Sequence, residues 1–343
     1  MSDFLQHPLV GLWYLAAHAG EIAPGKMIRR ILFEEPLVLG RTQDGAVFAF
    51  VDVCPHRGAP LSEGCLAGDA VECPYHSWRF AVDTGACVEV PALPTPEERS
   101  KNIGLKKRHL EERNDLLWLY HGDGEMPKEP PPNLGIDPAI RPKTKTCLTV
   151  TCDFDEAVIG LVDPAHTPTV HQQWWWRKGA ARALKTKNFE PTARGFRMPP
   201  HPPSSNSRIY KMLGGAPTTE IEFRLPGLRL EWIRNDKRLV FGFTAMTPGD
   251  KGQVRINHFI FWDSALFNLV TPLAQKMSND FFGQDKAILE AQHKNLSRDA
   301  HRPLFLGDPD VPAQWYCQLK KAWAEQGHGF ENPLSAATLK WRT

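Results

Sequence analysis

Cys54-Pro55-His56 and Cys73-Pro74-Tyr75-His76 are the two motifs around which the first part of this chain is organised. Each motif carries one cysteine and one histidine, and sixteen residues separate His56 from Cys73. Cysteines at such spacings in an intracellular protein are more typical of metal binding than of disulfides. Zinc sites usually combine a cysteine pair with a separate histidine pair, whereas each motif here mixes the two ligand types. The motifs therefore predict a metal centre with two thiolate and two imidazole ligands.

Two thiolates and two imidazoles suit a [2Fe-2S] cluster in which both cysteines hold one iron and both histidines hold the other. Because neutral imidazoles replace two negative thiolates, such clusters have reduction potentials of roughly −150 to +300 mV, above those of plant-type ferredoxins. The spacing Cys-x-His-x16-Cys-x2-His resembles the motif of Rieske proteins. The resemblance implies that Cys54, His56, Cys73 and His76 hold the cluster. A structural zinc site is the alternative.

Length and composition indicate an ordinary globular protein of 343 residues, long enough for two domains. The net charge of +2 gives no reason to expect nucleic acid or an anionic membrane surface as a partner. No run of about 18 apolar residues is present, so no transmembrane helix is expected. The apolar run from Leu9 to Ala17 lacks a basic leader region and an obvious cleavage site, and it is predicted to be a strand. We expect a cytoplasmic protein with reduced cysteines.

Short segments rich in strand-forming residues, separated by turn signals, dominate the first third of the chain. They predict an all-β domain over residues 1–125. Residues 126–143 contain six prolines, which favour a stiff linker over a helix or a central strand. The predicted strands are 12–17, 27–33, 36–41, 47–53, 70–72, 77–82, 86–90, 103–109 and 116–120.

The second domain is predicted over residues 144–343. Its consecutive strands, joined by short turns, imply an antiparallel sheet, and the fold class is α+β with helices on one face of the sheet. The proline-rich stretch 199–205 is predicted to be a loop inside this domain. The predicted helices are 153–165, 273–296 and 313–326, and the predicted strands are 147–151, 208–213, 219–225, 228–234, 239–247 and 253–262.

The first helix of this domain ends in Asp163-Pro164-Ala165-His166-Thr167-Pro168-Thr169-Val170-His171. Because Pro168 disfavours a regular helix through both histidines, we expect His166 at the helix end and His171 on the next segment, both aimed at one point. After a Rieske-like domain, the pattern Asp163-x2-His166-x4-His171 resembles the catalytic α-subunit of Rieske non-haem iron oxygenases. The resemblance covers nearly the whole chain. It implies a Rieske domain followed by a helix-grip catalytic domain, in which two histidines and a carboxylate hold one iron and leave positions open for dioxygen.

The resemblance also implies that the third iron ligand lies on the long C-terminal helix. Asp285 is the preferred candidate, and Asp280 and Glu290 are the alternatives. Each of these carboxylates could instead be a solvated group on the helix surface.

Asp163 is similar to the bridging carboxylate of this family. In that role it would connect His76 of one copy to His166 of the next in a head-to-tail homotrimer, and electrons would pass between the metals through it. The alternative is that Asp163 only ends its helix. Many relatives carry an asparagine where this chain has Gly160. Glycine has no side chain, so we do not expect the hydrogen bond that the asparagine makes near the iron in those relatives.

Trp174, Trp176 and Arg177 follow the second histidine closely. The tryptophans could offer aromatic faces to a flat apolar substrate, and Arg177 could pair with a substrate carboxylate. Alternatively these side chains pack in a core or at a subunit interface. His201, His258 and His293 are further candidates for polar groups in a pocket, although each could be an ordinary core or surface histidine.

The resemblance implies a terminal oxygenase that uses dioxygen and external electrons to hydroxylate, or oxidatively O- or N-demethylate, an aromatic or polycyclic small molecule. Its cofactors would be a [2Fe-2S] Rieske cluster and mononuclear Fe(II). No Gly-x-Gly-x2-Gly motif follows a predicted strand, so NAD(P)H is expected to bind a separate reductase, with or without a ferredoxin. The alternatives are an aromatic-ring cis-dihydroxylating dioxygenase, an electron-transfer protein with a non-catalytic second domain, and a zinc-binding structural protein.

Overall fold

A computed structural model describes residues 8–94, 102–122, 126–171, 183–203, 215–299 and 304–342. These residues divide into two compact units. The N-terminal unit consists of Gly11–Pro132 with Gly249–Lys251, and the C-terminal unit consists of the rest of the described chain. The division after Pro132 falls within the stretch 126–143 for which a linker was predicted, and the domain bounds themselves stay a prediction.

The described residues of the N-terminal unit are mainly β-strands, with single turns of 3-10 helix at Ala19–Glu21 and Leu61–Glu63. Three antiparallel sheets have the orders β1-β11-β10, β2-β3-β4-β9 and β5-β6-β7-β8. The strands are β1 Leu12–His18, β2 Lys26–Leu32, β3 Glu35–Arg41, β4 Val47–Val51, β5 Cys65–Ala67, β6 Ala70–Glu72, β7 Arg79–Ala81, β8 Cys87–Glu89, β9 Lys107–Arg108, β10 Leu110–Arg113 and β11 Leu116–His121.

Two apolar clusters hold these sheets together. One cluster joins β1, β3 and β11, and it includes Ala17, Leu37, Leu39 and Leu117, all with no more than 1% of their surface exposed. The other cluster surrounds the metal-binding motifs. Its members are Val38, Phe48, Phe50, Cys54, Leu61, Val71, Cys73, Phe80, Cys87 and Leu105.

The predicted strand over residues 103–109 is mostly wrong. Only Lys107–Arg108 is a strand, because Gly104 pairs with Ala86 through an isolated bridge and does not extend into a ladder. Strands β5 and β10 were not predicted. Both are short and rich in residues other than strand formers, so their pairing depends on neighbours that the local sequence does not reveal.

The C-terminal unit is an eight-stranded antiparallel sheet with helices, which confirms the predicted α+β class. The sheet order is β12-β18-β17-β16-β15-β14-β13-β19. The elements are β12 Pro142–Thr151, α1 Phe154–Val162, α2 Thr167–Val170, β13 Leu184–Thr192, β14 Gly195–His201, β15 Thr218–Arg224, β16 Leu228–Arg234, β17 Leu239–Pro248, β18 Gln253–Trp262, α3 Thr271–Asp299, α4 Val311–Gln326 and β19 Ala337–Arg342.

Helix α3 is fixed along the edge strand β12 by side-chain hydrogen bonds. Gln275 accepts from the Lys145 backbone N–H at 2.8 Å and donates to the Lys145 carbonyl at 3.0 Å. The hydroxyls of Thr146 and Ser278 lie 2.7 Å apart and are buried, and Lys286 Nζ donates to the Thr149 carbonyl at 2.8 Å. These contacts along β12 set the rotation of α3, and so determine which of its side chains face the sheet.

A buried ion pair ties helix α1 to helix α4. Lys320 Nζ lies 2.7 and 2.8 Å from the two carboxylate oxygens of Asp155, and the Tyr316 hydroxyl donates to the same carboxylate. Asp155 and Lys320 are 5% and 2% exposed. Removing one member of such a pair leaves an uncompensated buried charge, so the pair fixes how α1 sits in this unit.

Helix α1 ends three residues earlier than predicted. Asp163 is its C-terminal cap and has an extended backbone, with φ −67° and ψ 118°. The cause is Pro164, because a residue that precedes proline is disfavoured in the helical region. The early end turns the chain just before the two histidines.

Three strands of the large sheet, β13, β14 and β19, were not predicted. Strand β14 runs through Pro199 and Pro200, which were expected to lie in a loop. The register of β14 against β15 breaks between Met198 and His201, so the prolines occupy an irregular stretch of the ladder. The predicted strand 208–213 lies outside the described residues.

Among the helices in the described part of the chain, none combines the length and apolarity that crossing a bilayer requires.

Candidate functional site

The two Cys/His motifs form loops with the same backbone hydrogen bonds. In the first loop, Cys54 N–H donates to the Ala59 carbonyl and the Cys54 carbonyl accepts from Gly58 N–H, each at 2.8 Å. The second loop repeats this pattern through Cys73, whose N–H donates to Trp78 at 2.9 Å and whose carbonyl accepts from Ser77 at 3.1 Å. The fifth residue of each loop has a left-handed backbone, with φ 74° at Gly58 and φ 54° at Ser77.

These loops bring the four predicted cluster ligands together. Both cysteine side chains are 2% exposed, and burial raises the pKa of the Cys54 thiol, which the adjacent Cys73 thiol raises further. The rings of His56 and His76 lie 4.7 Å apart between centroids. His76 Nδ1 is buried and has no hydrogen-bond partner in the described part of the chain. Two paired thiols and an imidazole nitrogen without a partner are the donor set that a metal cluster requires.

Neighbouring side chains support the two loops. Trp78 stacks on the His56 ring with centroids 4.5 Å apart and an angle of 6° between planes. Just before the first loop, the buried carboxylate of Asp52 accepts from the Ser62 N–H at 2.7 Å and from the Ser62 hydroxyl at 2.6 Å. The ring orientation and the path of the loop are therefore fixed by groups outside the motif.

The histidines of the second motif flank a single helical turn. His166 is the N-terminal cap of α2, and its carbonyl accepts from Thr169 and Val170 at 2.9 Å. His171 is the C-terminal cap, and its N–H donates to the Thr167 carbonyl at 3.1 Å. Pro168 fits because the first turn of a helix needs no N–H donor. The turn brings the two imidazole rings to a centroid distance of 5.5 Å.

Helix α3 adds a carboxylate to this pair. Asp285 Oδ1 lies 3.2 Å from His171 Nε2 and 3.7 Å from His166 Nε2. One donor atom from each of the three residues lies within 4.8 Å of the others, and His171 is fully buried. Two histidines and one carboxylate on one side of a cavity can hold a divalent metal such as Fe(II).

The orientation of His171 argues for a cation at this point. Gln284 Oε1 lies 3.3 Å from His171 Nδ1, and Phe281 stacks on the ring at a centroid distance of 3.4 Å. With Nδ1–H donating to Gln284, Nε2 presents a lone pair towards the negative Asp285 oxygen. Nε2 is buried and makes no hydrogen bond in the described part of the chain. Two facing lone pairs repel each other unless a cation lies between them, so the geometry fits a metal ion.

Asp163 acts on the other histidine. Its Oδ1 accepts from the Ala165 N–H at 2.6 Å, and its Oδ2 lies 3.5 Å from His166 Nδ1. Burial alone would raise the pKa of Asp163, but the contacts with His166 and Ala165 outweigh burial and lower the pKa. Burial opposes protonation of His166, yet Asp163 and Asp285 together raise its pKa. A carboxylate therefore faces each ring nitrogen of His166.

The other two candidate carboxylates of α3 are engaged elsewhere. Asp280 pairs with Lys276 at 2.7 Å on the outer side of the helix. Glu290 accepts from the Thr151 N–H at 3.2 Å and lies 3.6 Å from Lys286 Nζ. The structure brings only Asp285, of these three, to the histidines.

A cavity of about 490 Å³ extends from the three-residue group into the space between α3 and the sheet. Its walls are mainly apolar, and Gly160 of α1 is part of them, with Leu289 Cδ2 3.3 Å from the position of a Cβ. A few polar groups project from the strands. The apolar lining includes Phe189, Phe196, Met198, Ile221, Ile256, Ile260, Phe281 and Phe282.

Two of the suggested pocket histidines line this cavity. His258 Nδ1 lies 2.9 Å from the Thr244 hydroxyl, and its ring packs on Phe282 at a centroid distance of 4.4 Å. Burial lowers the pKa of His258 to about 3, so the ring is neutral. Burial also lowers the pKa of His201. His293 does not line the cavity, and it pairs with Glu156 at 2.9 Å. The predicted pocket residues Trp174, Trp176 and Arg177 lie outside the described residues.

Sequence reasoning missed Gln284 and Phe281, which hold the His171 ring. Phe281 precedes Asp285 by four residues, a spacing that puts two side chains on one face of a helix, and Gln284 is the residue directly before Asp285. Their closeness to the candidate ligand Asp285 along α3 was therefore the sequence signal that could have identified these two residues.

Comparison with known proteins decides the identity of the N-terminal unit. Residues 12–106 match the family described as the Rieske [2Fe-2S] domain. These residues form a Rieske domain. The Rieske domain contains Cys54, His56, Cys73 and His76, the residues whose loop geometry is described above.

Two curated relatives are similar to part of the chain. The oxygenase component of dicamba O-demethylase from Stenotrophomonas maltophilia is 35% identical over 163 residues, which cover 47% of each chain. The oxygenase component of chloroacetanilide N-alkylformylase from Rhizorhabdus wittichii is 32% identical over 188 residues, covering 51% of this chain and 50% of that one. The chain thus spans about half the length of these curated relatives.

The fold extends the similarity to the C-terminal unit. The crystal structure of dicamba monooxygenase bound to dicamba matches with a TM-score of 0.73 and 23% identity, covering 92% of this chain and 98% of that one. The chain therefore combines a Rieske domain with an overall fold similar to that of dicamba monooxygenase.

Proposed function

We propose that this protein is the terminal oxygenase component of a Rieske oxygenase system. In this proposal it hydroxylates, or oxidatively O- or N-demethylates, an aromatic or polycyclic small molecule. One observation carries the proposal. His166, His171 and Asp285 come together in a chain that also has a Rieske domain, and two of the three, His166 and Asp285, line a largely apolar cavity. The demethylase and N-alkylformylase relatives support oxidative removal of a carbon group as the reaction type.

The ligand assignments follow from the fit of the donor sets. Cys54, Cys73, His56 and His76 would hold the [2Fe-2S] cluster, and His166, His171 and Asp285 would hold mononuclear Fe(II). When bound, these groups supply single electrons and a centre for the reduction of dioxygen.

The chain's own residues prepare the second site in three ways. Gln284 Oε1 lies 3.3 Å from His171 Nδ1, and by accepting from Nδ1–H it would direct the Nε2 lone pair towards Asp285. The Asp163 carboxylate lies 3.5 Å from His166 Nδ1 and favours the ring orientation in which that nitrogen faces it. The aromatic and aliphatic lining displaces water and offers flat apolar faces to a ring-shaped substrate.

We also propose that Asp163 is the bridge between subunits. Its side chain is 35% exposed, and only one carboxylate oxygen approaches His166. The other face can therefore accept a hydrogen bond from His76 of a second copy. This role requires a head-to-tail homotrimer, in which each Rieske domain would serve the iron site of the next copy.

The proposed partners are an NAD(P)H-dependent reductase, with or without a ferredoxin, and a small-molecule substrate. Both relatives described above are named as oxygenase components, which supports a multicomponent system. A cytoplasmic location is proposed from the same composition that suggested reduced cysteines.

The test begins with protein purified without oxygen and reconstituted with iron. Iron in excess of acid-labile sulfide is expected, followed by product formation from methoxylated and N-methylated aromatics with a reductase, NADH and labelled dioxygen.

Asp163→Asn should keep both metals and slow product formation by about 10–100-fold. A cis-diol product would assign the chain to ring dihydroxylation. Reversible reduction without any product would favour electron transfer, and zinc without sulfide would overturn the proposal.

A further inference from the structure

We propose that the cavity selects an aromatic anion, a carboxylate or a sulfonate, and that Lys187 is the residue that recognises its charge. The inference rests on the proposed function, because it names the substrate class of the same cavity. It follows from the charge balance of the residues that line the cavity and from the position of Lys187 on strand β13.

Strand β13 presents alternate side chains to the cavity. Lys185, Lys187 and Phe189 line it, whereas Thr186 and Asn188 are exposed on the other face of the strand. This is the two-residue alternation of a β-strand. Lys187 is half-buried, and burial lowers the pKa of its ammonium group. Its side chain therefore forms part of a cavity wall that also contains apolar residues such as Phe189.

The other charged groups of the lining, Lys185 included, have interactions of their own. Arg229 pairs with Glu231 at 2.9 Å on strand β16. Asp163 and Asp285 face the imidazoles of the proposed iron site. His201 and His258 are neutral near pH 7, because burial lowers the pKa of both. These groups leave the ammonium group of Lys187 without a matching negative charge among the described residues of the lining.

No carboxylate pairs with Lys187 in the part of the chain that the structure describes. A half-buried ammonium group without a counter-charge loses solvation and gains nothing in return. An anionic group on a ligand would compensate for the lost solvation of the ammonium group. The aromatic ring that bears this anionic group would then pack against the apolar lining. An aromatic monoanion satisfies both parts of the cavity, whereas a neutral ring leaves Lys187 uncompensated.

The test compares 4-methoxybenzoate with 4-methoxybenzamide, which share their ring and methoxy group and differ in charge. Their dissociation constants are measured by equilibrium dialysis on the iron-loaded protein without oxygen or reductase. The benzoate should bind at least about tenfold tighter. Lys187→Met should remove that preference, and Lys187→Arg should keep it. Lys187→Glu should reverse it in favour of 4-methoxybenzylamine.

Lys340→Met is the matched control. Lys340 lies on the neighbouring strand β19, opposite Thr186, and its side chain is exposed and does not line the cavity. This variant should bind both probes as the unaltered protein does. Equal binding of the two probes, binding of neither, or a preference that survives in Lys187→Met would overturn the inference. Because binding is measured without turnover, absence of product with reductase and dioxygen would count against the proposed function alone.

Discussion

The two candidate metal sites are assembled in different ways. Each Cys/His loop closes through hydrogen bonds between residues four and five positions apart. The first loop lies between β4 and β5, and the second connects the paired strands β6 and β7. The His166/His171/Asp285 site joins a single helical turn to α3, and the residue that orients His171 is 113 positions further along the chain. The first site depends on local backbone geometry, whereas the second depends on how a long helix packs on a sheet.

The difference explains why one site was easier to infer than the other. A loop that closes on itself fixes the spacing of its ligands in the sequence, so spacing identifies it. The third ligand of the second site was left among three carboxylates, because spacing along α3 does not say which face meets the histidines. Contacts such as Gln275 with Lys145 and Ser278 with Thr146 set that rotation.

The largest expected effect is loss of the cluster on removing one loop ligand. Cys73→Ser should abolish acid-labile sulfide and the visible absorption of the Rieske centre, because a hydroxyl is a poor ligand for iron. Iron and sulfide analysis measures this. The C-terminal unit should keep its mononuclear iron, since none of its proposed ligands lies in the loops. Cys65→Ser, at an exposed cysteine outside the loops, is the control and should retain the cluster.

The next effect separates the carboxylates of α3. Asp285→Ala should lose mononuclear iron and product formation while keeping all sulfide, because it removes the only α3 carboxylate near the histidines. Asp280→Ala and Glu290→Ala are matched controls on the same helix and should retain both metals. Iron retained in Asp285→Ala but lost in either control would assign the third ligand differently.

A smaller effect is expected at the residue that orients His171. Gln284→Leu removes the acceptor for His171 Nδ1–H without touching a proposed ligand. Iron affinity of the second site should fall by about 10–100-fold, with sulfide unchanged. Competition against a chelator gives the affinity. Gln284→Glu, which keeps an acceptor oxygen, should recover most of it, and equal weakening in both variants would argue against an orienting role.

The cavity wall should make the C-terminal unit sensitive to acid. Burial lowers the pKa of His258 from an ordinary value of 6.5 to about 3 in the folded chain. Above pH 6.5 the ring is neutral in both the folded and the unfolded states, and below pH 6.5 only the unfolded chain readily takes up the proton. Stability is therefore lost as the pH falls towards 3, by up to about 3 kcal/mol at pH 4. His258→Gln should show a flatter loss of thermal stability between pH 7 and 4. An unchanged pH dependence would mean that other groups dominate.

The smallest effects test backbone geometry at one position from each unit. Gly58 has φ 74° and Gly283 lies inside helix α3, and neither has an atom within 4 Å of where a Cβ would be. Gly58→Ala should destabilise the Rieske domain by about 1 kcal/mol, because left-handed backbone is strained for alanine. Gly283→Ala should stabilise its helix by about 0.5–1 kcal/mol. Thermal unfolding measures both, and the same sign in both variants would contradict the backbone explanation.

Much of the fold followed from local patterns, and the failures have a common cause. Strands β16 and β18 were predicted at their observed bounds, because apolar residues alternate along them. Strand β13 was missed because its inward residues include two lysines that line a cavity instead of packing in a core. Its partner β19 lies at the other end of the chain and is equally hard to recognise alone.

By itself, the sequence predicted two domains in this order, four ligands for a Rieske cluster and two histidines for the second site, because each motif acts within a few residues. The tertiary structure decided that Asp285 meets those histidines, that Gln284 orients one of them, and that Lys187 reaches the cavity. These outcomes depend on the rotation of α3 over β12 and on the pairing of β13 with β19. Both are set by contacts between residues far apart in sequence, which spacing along the chain cannot encode.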